Sequence, residues 1–287
     1  MSTRTLTDAD APALEAFLQG HAETSMFLRS NARAAGLSYR PAPYHGVYVA
    51  RFEDGIVAAA AHYWNGMLMV QAPELHVAEV AAAAVRASGR PVHGLSGAWS
   101  TCVAARTALG LDAAPTLKCD REELFSLALD ELVVPPSLER GELRCRLGRA
   151  DELDELTGWR VDYCLETLGA EDGPKLRAEA RASVERALAS DTLFVLETSD
   201  ARVATSTFNA QLPDTVQIGG VWTPPSLRGR GYARSVVAGS LLHARSRGVR
   251  RSLLFTGETN EAARRAYLSI GYRVIGDYAL ILFAMPA

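Results

Sequence analysis

Apolar and polar residues follow strand or helix spacing along most of the chain, and this pattern predicts the order of its elements. In the first half, strands at residues 46–52 and 56–63 flank the turn Glu53-Asp54-Gly55, which predicts a hairpin. The other elements predicted there are a helix at 10–18, a strand at 67–70, a helix at 75–87, a strand at 92–95, a helix at 102–109 and a strand at 124–133. Residues 135–142 begin with two prolines and are predicted to be a linker.

The second half shows the same kinds of pattern. A loop at 224–229 precedes a predicted helix that runs to about Arg247 and is ended by Gly248. The other predicted elements are a strand at 143–147, a helix from 151, a helix at 175–189, strands at 193–197, 203–210 and 216–223, a strand at 252–255, a helix at 261–268 and strands at 272–277 and 279–283. The order of strands and helices predicts an α/β fold of the α+β type.

Short sequence matches between the halves indicate an internal repeat. The pattern Leu6-x-x-Ala9-Asp10 parallels Leu147-x-x-Ala150-Asp151, and Ala105 to Gly110 parallels Ala266 to Gly271. The matches are short, so chance is the competing explanation. On the strength of the two matches, we predict that the halves are two versions of one fold, with domains at 1–136 and 137–287.

Composition places the chain among globular proteins. It has 287 residues, of which 48% are hydrophobic and 22% charged, and its mean hydropathy is zero. The N-terminal residues do not resemble a secretion signal, and no apolar run is long enough to cross a bilayer, so we predict a cytoplasmic protein without a membrane partner. The four cysteines lack the spacing of a zinc site, so no metal is expected.

The segment from Val221 to Arg234 has the composition of an anion-binding loop. It lies between a predicted strand and a predicted helix, and the small residues Gly229, Gly231 and Ala233 allow backbone N–H groups to approach a ligand. The following helix presents the positive end of its dipole, which suits a pyrophosphate. A helix start with two turn glycines and solubilising arginines is the alternative interpretation.

A second motif follows the next predicted strand, and the two together resemble a known family. Arg-x-x-Gly-x-Ala is followed about thirty residues later by Asn260-x-x-Ala263-x-x-x-Tyr267-x-x-x-Gly271-Tyr272. This pair resembles motifs A and B of the GCN5-related N-acetyltransferases (GNAT). The lead-in to the first motif and the ending Gly276 to Leu280 look most like the branch of glycine N-acyltransferase-like proteins. The resemblance covers the second half, from about residue 143 to 283.

The charge distribution agrees with an anionic ligand. Residues 226–273 contain ten arginines and two glutamates, which gives this segment a net charge of +8 and leaves −11 for the rest of the chain, although the total is only −3. A compact cationic region fits a ligand with a pyrophosphate and a further phosphate. Aromatic residues are sparse in this segment, so nucleic acid is not the expected partner.

The resemblance implies roles for particular residues. The strand end formed by Val221, Trp222 and Thr223 pairs with the pantetheine arm of acetyl-CoA, and a backbone N–H there polarises the thioester carbonyl. The pyrophosphate is wrapped by Arg228, Gly229, Arg230, Gly231, Tyr232, Ala233 and Arg234.

The second motif supplies the pantetheine side and an acid. By resemblance, Asn260 and Ala263 line the pantetheine, and Tyr267 protonates the departing thiolate as general acid. The alternative for Tyr267 is an aromatic anchor in the core beneath its helix. No general base is assigned: Glu197 and Glu166 are candidates, each also explained as an ordinary charged residue, and a water chain ending on backbone carbonyls is a further alternative.

The first half lacks these residues. Aligned on Gly110 and Gly271, Arg106 stands in place of Tyr267 and Trp99 in place of Asn260, and Gln71-Ala-Pro-Glu74 replaces the glycine loop. We therefore predict a degenerate half that does not hold CoA and serves the structure or the wall of the substrate pocket.

The resemblance implies an acyl-CoA-dependent N-acetyltransferase built from two tandem acyltransferase-like domains, each a mostly antiparallel sheet flanked by helices. It transfers acetyl from acetyl-CoA to a primary amine of a small molecule by direct attack in a ternary complex. The oligomeric state is expected to be a monomer or a homodimer. A CoA-binding regulatory protein without catalysis is the alternative function.

Overall fold

The computed structural model describes residues 2–284 as a mixed α/β protein, whose elements are strands and helices from both parts of the chain. Those of the first part are β1 Ser2–Thr5, α1 Ala11–Gln19, α2 Met26–Ala35, β2 Gly46–Phe52, β3 Ile56–Tyr63, β4 Met67–Gln71, α3 Glu74–Ser88, β5 Gly94–Ala98, α4 Trp99–Ala108 and β6 Thr116–Ala128. Those of the second part are α5 Pro136–Glu139, β7 Arg144–Leu147, α6 Leu153–Leu168, α7 Pro174–Ala189, β8 Leu193–Glu197, β9 Arg202–Gln211, β10 Thr215–Trp222, α8 Tyr232–Ser246, β11 Arg251–Gly257, α9 Glu261–Leu268 and β12 Arg273–Phe283.

The chain forms two compact units. One comprises the described residues up to 123 together with those from 276 onward, and the other is Leu124–Ile275. Residues from 276 onward cluster with the first unit because Tyr278 to Leu282 pair with Gly94 to Ala98. The sequence-based prediction divides the chain once, between residues 136 and 137, and therefore places the residues from 276 onward in the second domain.

In the first unit the strand order is β1-β2-β3-β4-β5-β12. Neighbouring strands are antiparallel except β4 and β5, which are parallel and are connected through α3. One core, which includes Val77, Val80 and Leu95, lies against α3, and a second, which includes Leu14 and Leu18, lies against α1. The unit is therefore a mostly antiparallel sheet covered by helices, as predicted.

The second unit repeats this order of elements. Its strands run β11-β10-β9-β8-β7, all antiparallel except the parallel pair β10 and β11, which is connected through α8. Val236, Val237 and Leu241 of α8 pack on one core of this unit, whereas α6 and α7 pack on another through Leu156 and Val184. Among the described residues, no helix is both long enough and apolar enough to span a bilayer.

Several predicted elements differ from the structure. The strands predicted at 272–277 and 279–283 are one strand, β12, and the predicted linker contains the short helix α5. Helix α2 was not predicted, because Arg29, Ser30 and Asn31 lie on its buried side and obscure the apolar pattern. Arg29 is buried there with its guanidinium 2.7 Å from Glu15.

Candidate active site

Strands β10 and β11 start as neighbours and then part. Their pairs join Thr215–Gln217 with Arg251–Leu253, although both strands continue for several residues beyond these pairs. Beyond these pairs the two strands separate, and an extended ligand can bind along a strand edge of this kind. The gap between the strands faces the start of α8, because α8 follows β10 in the chain.

A distortion of β10 accompanies this parting. Its pairing with β9 shifts register after Gln217 and again after Gly219. Gly220 has a φ of +55°, and a Cβ there would lie 2.7 Å from the hydroxyl of Thr207, while a Cβ on Gly219 would clash with Asn209. The Thr207 hydroxyl donates to the Gly219 carbonyl at 2.9 Å. Glycines at 219 and 220 thus allow the bulge that redirects the end of the strand.

The predicted anion loop precedes α8 as expected from the sequence. Gly229 and Gly231 have φ angles of +78° and +80°, and Gly231 is the N-cap of α8. A glycine cap provides no side-chain acceptor, and the first turn of α8, which includes Tyr232, Ala233 and Arg234, contains no acidic residue. The N–H groups of this turn are left for an external anion by helix geometry.

Arg228 is engaged within the protein. Its Nε donates to the Thr223 carbonyl at 3.0 Å, and its guanidinium lies 4.9 Å from the centre of the Trp222 ring. Its two terminal nitrogens each lie 2.9 Å from a carboxylate oxygen of Glu166 on α6. Three site residues predicted from the sequence, Trp222, Thr223 and Arg228, are therefore in direct contact, and Glu166 joins them.

Three buried polar atoms on and just after β10 have no hydrogen-bond partner among the described residues. They are Gln217 Oε1, Trp222 Nε1 and Thr223 Oγ1. Buried polar atoms in proteins are almost always paired, so these three atoms are candidates for contact with a polar ligand. Val221 lies in the same strand and packs against the core below α8.

The second motif forms the start and body of α9. Asn260 is its N-cap, and the side-chain oxygen accepts from the backbone N–H of Ala263 at 3.2 Å. Tyr267 is only 8% exposed and its ring packs edge-on against Phe125 and Tyr272. Burial and the nearby Tyr163 raise the pKa of the Tyr267 hydroxyl well above its ordinary value, so this phenol stays protonated and able to donate.

The sequence reasoning missed two residues of α6 beside β10. The Tyr163 ring lies 6.4 Å from that of Trp222 in an edge-on arrangement, and the Arg160 guanidinium lies 4.9 Å from the centre of the Tyr163 ring. Nη1 of Arg160 is 3.5 Å from the position of a Cβ on Gly220. The near-helical spacing of Arg160, Tyr163 and Glu166 is a signal for a shared face, but nothing in the sequence places that face against β10.

Both candidate bases form ion pairs. Glu197 lies 2.8 Å from the guanidinium of Arg146, which also binds the buried Glu152. Burial favours the protonated form of Glu152, but hydrogen bonds from Arg146 and from the backbone of Arg149 outweigh it and lower the pKa. Glu166 is held by Arg228. Neither candidate carboxylate is thus free of a cation.

The corresponding place in the first unit is built differently. Only Ala72 and Pro73 separate β4 from α3, and Gln71 accepts hydrogen bonds from Thr24 and Ser25. Arg106, which aligns with Tyr267, donates to three backbone carbonyls, those of Leu111, Asp112 and Ala114. A glycine loop is absent between β4 and α3, and Arg106 holds the chain that follows α4.

The order of strands and helices in the two units is that of a two-domain acyltransferase fold. Residues 154–272 match the model of the Acetyltransferase (GNAT) family. No curated protein matches the chain in sequence.

Solved structures share the fold over the full length. An acetyltransferase of the GNAT family from Colwellia psychrerythraea is 16% identical with a TM-score of 0.56, covering 99% of this chain and 100% of its own. A GCN5-related N-acetyltransferase from Sphaerobacter thermophilus is 17% identical with a TM-score of 0.57, covering 98% and 94%. A tandem GNAT protein from the clavulanic acid biosynthesis pathway is 11% identical with a TM-score of 0.57, covering 100% and 99%.

Proposed function

We propose that the protein transfers the acetyl group of acetyl-CoA to a primary amine of a small molecule. The observation that carries this proposal is the parting of β10 and β11 beside the glycine-lined start of α8, within the segment that matches the acetyltransferase family. An extended thioester substrate fits along the open edge of β10, with its phosphates at the helix start.

The residues of the second unit have distinct roles in this reaction. The loop from Arg228 to Arg234 binds the pyrophosphate through backbone N–H groups and arginines, while the end of β10, Val221 to Thr223, holds the pantetheine and polarises the thioester carbonyl. Asn260 and Ala263 border the pantetheine at the start of α9. These roles order the thioester for attack.

The chemical step is a direct attack. The neutral amine nitrogen bonds to the carbonyl carbon and gives up one N–H proton to solvent, the carbon–sulfur bond breaks, and the departing thiolate takes the proton of Tyr267, which water then returns. The raised pKa of Tyr267 keeps its phenol protonated before the step, as a general acid requires. The amine must lose a proton before it attacks, since it is an ammonium ion at neutral pH.

The first unit is proposed to be degenerate. Its two-residue connection between β4 and α3 leaves no room for a glycine loop, and the side chain of Gln71 is bonded to Thr24 and Ser25. This unit is expected to bind no CoA and to serve the structure or the substrate pocket.

A CoA-binding regulatory protein without turnover is the second candidate. It is favoured by one observation, the pairing of both candidate bases with arginines. Measurement of CoA binding by calorimetry alongside turnover separates the two functions, because a regulator binds CoA and releases no thiol from acetyl-CoA with any amine.

The test of the proposed reaction is thiol release from acetyl-CoA across a panel of amines. Wild type is compared with Arg228→Glu, which places a like charge beside the phosphates, and with Tyr267→Phe, which removes the acid. We expect turnover with at least one amine and a loss in both variants. Turnover that neither substitution reduces would show that the site is assigned wrongly.

A further inference from the structure

The ion pair between Glu166 and Arg228 connects two parts of the second unit that the proposed reaction uses separately. Arg228 belongs to the loop assigned to the pyrophosphate, whereas Glu166 lies on α6, 62 residues earlier in the chain. Each carboxylate oxygen of Glu166 lies 2.9 Å from one terminal nitrogen of Arg228, which is the geometry of a bidentate ion pair. Nε of Arg228 is bound to Thr223, so all three nitrogens of the guanidinium have protein partners.

A pyrophosphate in this loop competes with Glu166 for Arg228. The diphosphate carries more negative charge than one carboxylate and also gains the N–H groups of the α8 start. The side chains of Arg228 and Glu166 are 43% and 51% exposed, and an ion pair this exposed is held weakly. The physical balance therefore favours exchange of the carboxylate for the phosphates.

Release of Glu166 provides a carboxylate beside β10. Glu166 follows Tyr163 by one helical turn, and Tyr163 contacts Trp222 at the end of that strand. Two other charged residues do not serve an ammonium group: Arg160, on the preceding turn of α6, is itself a cation, and the carboxylate of Glu197 is paired with Arg146. A freed Glu166 has the negative charge that an ammonium group requires.

We propose that Glu166 and Arg228 form an exchangeable ion pair that couples the two substrates: the pyrophosphate of CoA takes Arg228, and the ammonium group of the acceptor takes Glu166. This inference rests on the proposed function, since it needs the phosphates at Arg228. By linkage, each substrate strengthens the binding of the other by the same factor.

A double-mutant cycle tests the exchange. Free CoA, which carries the pyrophosphate and no acyl group, is titrated calorimetrically into wild type, Glu166→Gln, Arg228→Gln and the double variant. Glu166→Gln is expected to bind CoA about two- to five-fold more tightly, because the competing charge is gone. In the Arg228→Gln background the same substitution is expected to have no effect on CoA affinity.

The control is a second exposed ion pair, which joins the connection after α6 to helix α7. Asp172 binds Arg177 through both carboxylate oxygens, at 2.9 and 2.8 Å, without involving the loop. Asp172→Asn removes a negative charge of the same kind and is expected to leave CoA affinity unchanged. An equal gain in this variant would attribute the effect to overall charge and overturn the exchange.

The amine side is tested by steady-state kinetics with the fastest acceptor of the amine panel. Glu166→Gln is expected to raise KM for the amine about tenfold, the effect of losing one hydrogen bond to a charged group, while kcat changes less than twofold. Glu166→Asp is expected to restore part of the loss.

Each remaining outcome is decisive. CoA binding to wild type that Glu166→Gln leaves unchanged or weakens overturns the exchange and leaves the proposed function standing. An unchanged KM for the amine overturns the assignment of Glu166 to the ammonium group. If no variant binds CoA, the proposed function fails and the inference fails with it.

Discussion

Substitution of Gly231 by alanine separates the binding role of the α8 start from its conformational role. Gly231 has a φ of +80°, so an L residue there is strained by about 1 kcal/mol. A Cβ at this position would lie 3.0 Å from Nε of Arg234, the far end of a side chain that can move. The free energy of unfolding is therefore expected to fall by only about 1 kcal/mol.

Binding is expected to suffer more than stability. The added methyl group occupies space at the helix start where phosphate oxygens approach the backbone, and a contact of this kind costs enough to weaken CoA binding about tenfold. Unfolding in urea measures the first effect, and calorimetric titration with CoA measures the second.

Gly248 gives the matched control at the other end of α8. Its φ is +90°, and a Cβ there would meet nothing within 4 Å. Gly248→Ala is expected to lose about the same stability as Gly231→Ala and to bind CoA like wild type. Equal CoA affinity in Gly231→Ala and wild type, or an equal loss in Gly248→Ala, would refute the placement of the phosphates at this helix start.

Three further predictions concern the acid and the buried charges. Tyr267→Phe is expected to keep CoA affinity and to lower kcat about 100-fold, measured by thiol release; an unchanged kcat would leave Tyr267 as a core anchor. His62 is fully buried and has its pKa lowered to about 4 by burial and the nearby Arg90, so its contribution is complete above pH 6.5 and is lost as the pH falls toward 4. Urea unfolding is expected to show that the free energy of unfolding falls by about 3 kcal/mol over this pH range, and by less in His62→Asn. An equal fall in that variant would contradict the assignment of the pH dependence to His62. Arg146→Met leaves the Glu152 carboxylate, 3% exposed, without its main partner and is expected to cost about 3 kcal/mol by the same assay, whereas an unchanged stability would show that Arg202 suffices.

Local patterns predicted elements of both units. Strands β2, β3 and β8 and helix α9 have the predicted bounds, because each combines clear spacing with turn or cap residues at its ends. Helix α2 was missed because polar residues occupy its buried side. The single strand β12 was predicted as two strands, which left Tyr278 between them. In the structure Tyr278 is part of the strand, and the pairing with β5 is continuous from Tyr278 to Leu282.

The motifs predicted the candidate site residues, but they did not predict which side chains these residues contact. Asn260 forms the helix cap that its position suggests, and the glycines at 229 and 231 have positive φ angles. The contacts of Arg228 with Glu166 and Trp222 depend on how α6 packs beside β10, and no spacing in the sequence encodes that packing. The boundary between the two units could not be predicted from the sequence either, because it depends on which strand pairs with β12.

Isotope-labelled acetyl-CoA shows directly whether the acetyl group reaches an amine. The protein is incubated with labelled acetyl-CoA and the amine panel, and both the small molecules and the intact protein are analysed by mass spectrometry. Direct transfer in a ternary complex is expected to place labelled acetyl on the nitrogen of an amine, with no labelled acetyl attached to the protein during turnover. Label accumulating on the protein, or acetyl-CoA left intact with every amine, would contradict it.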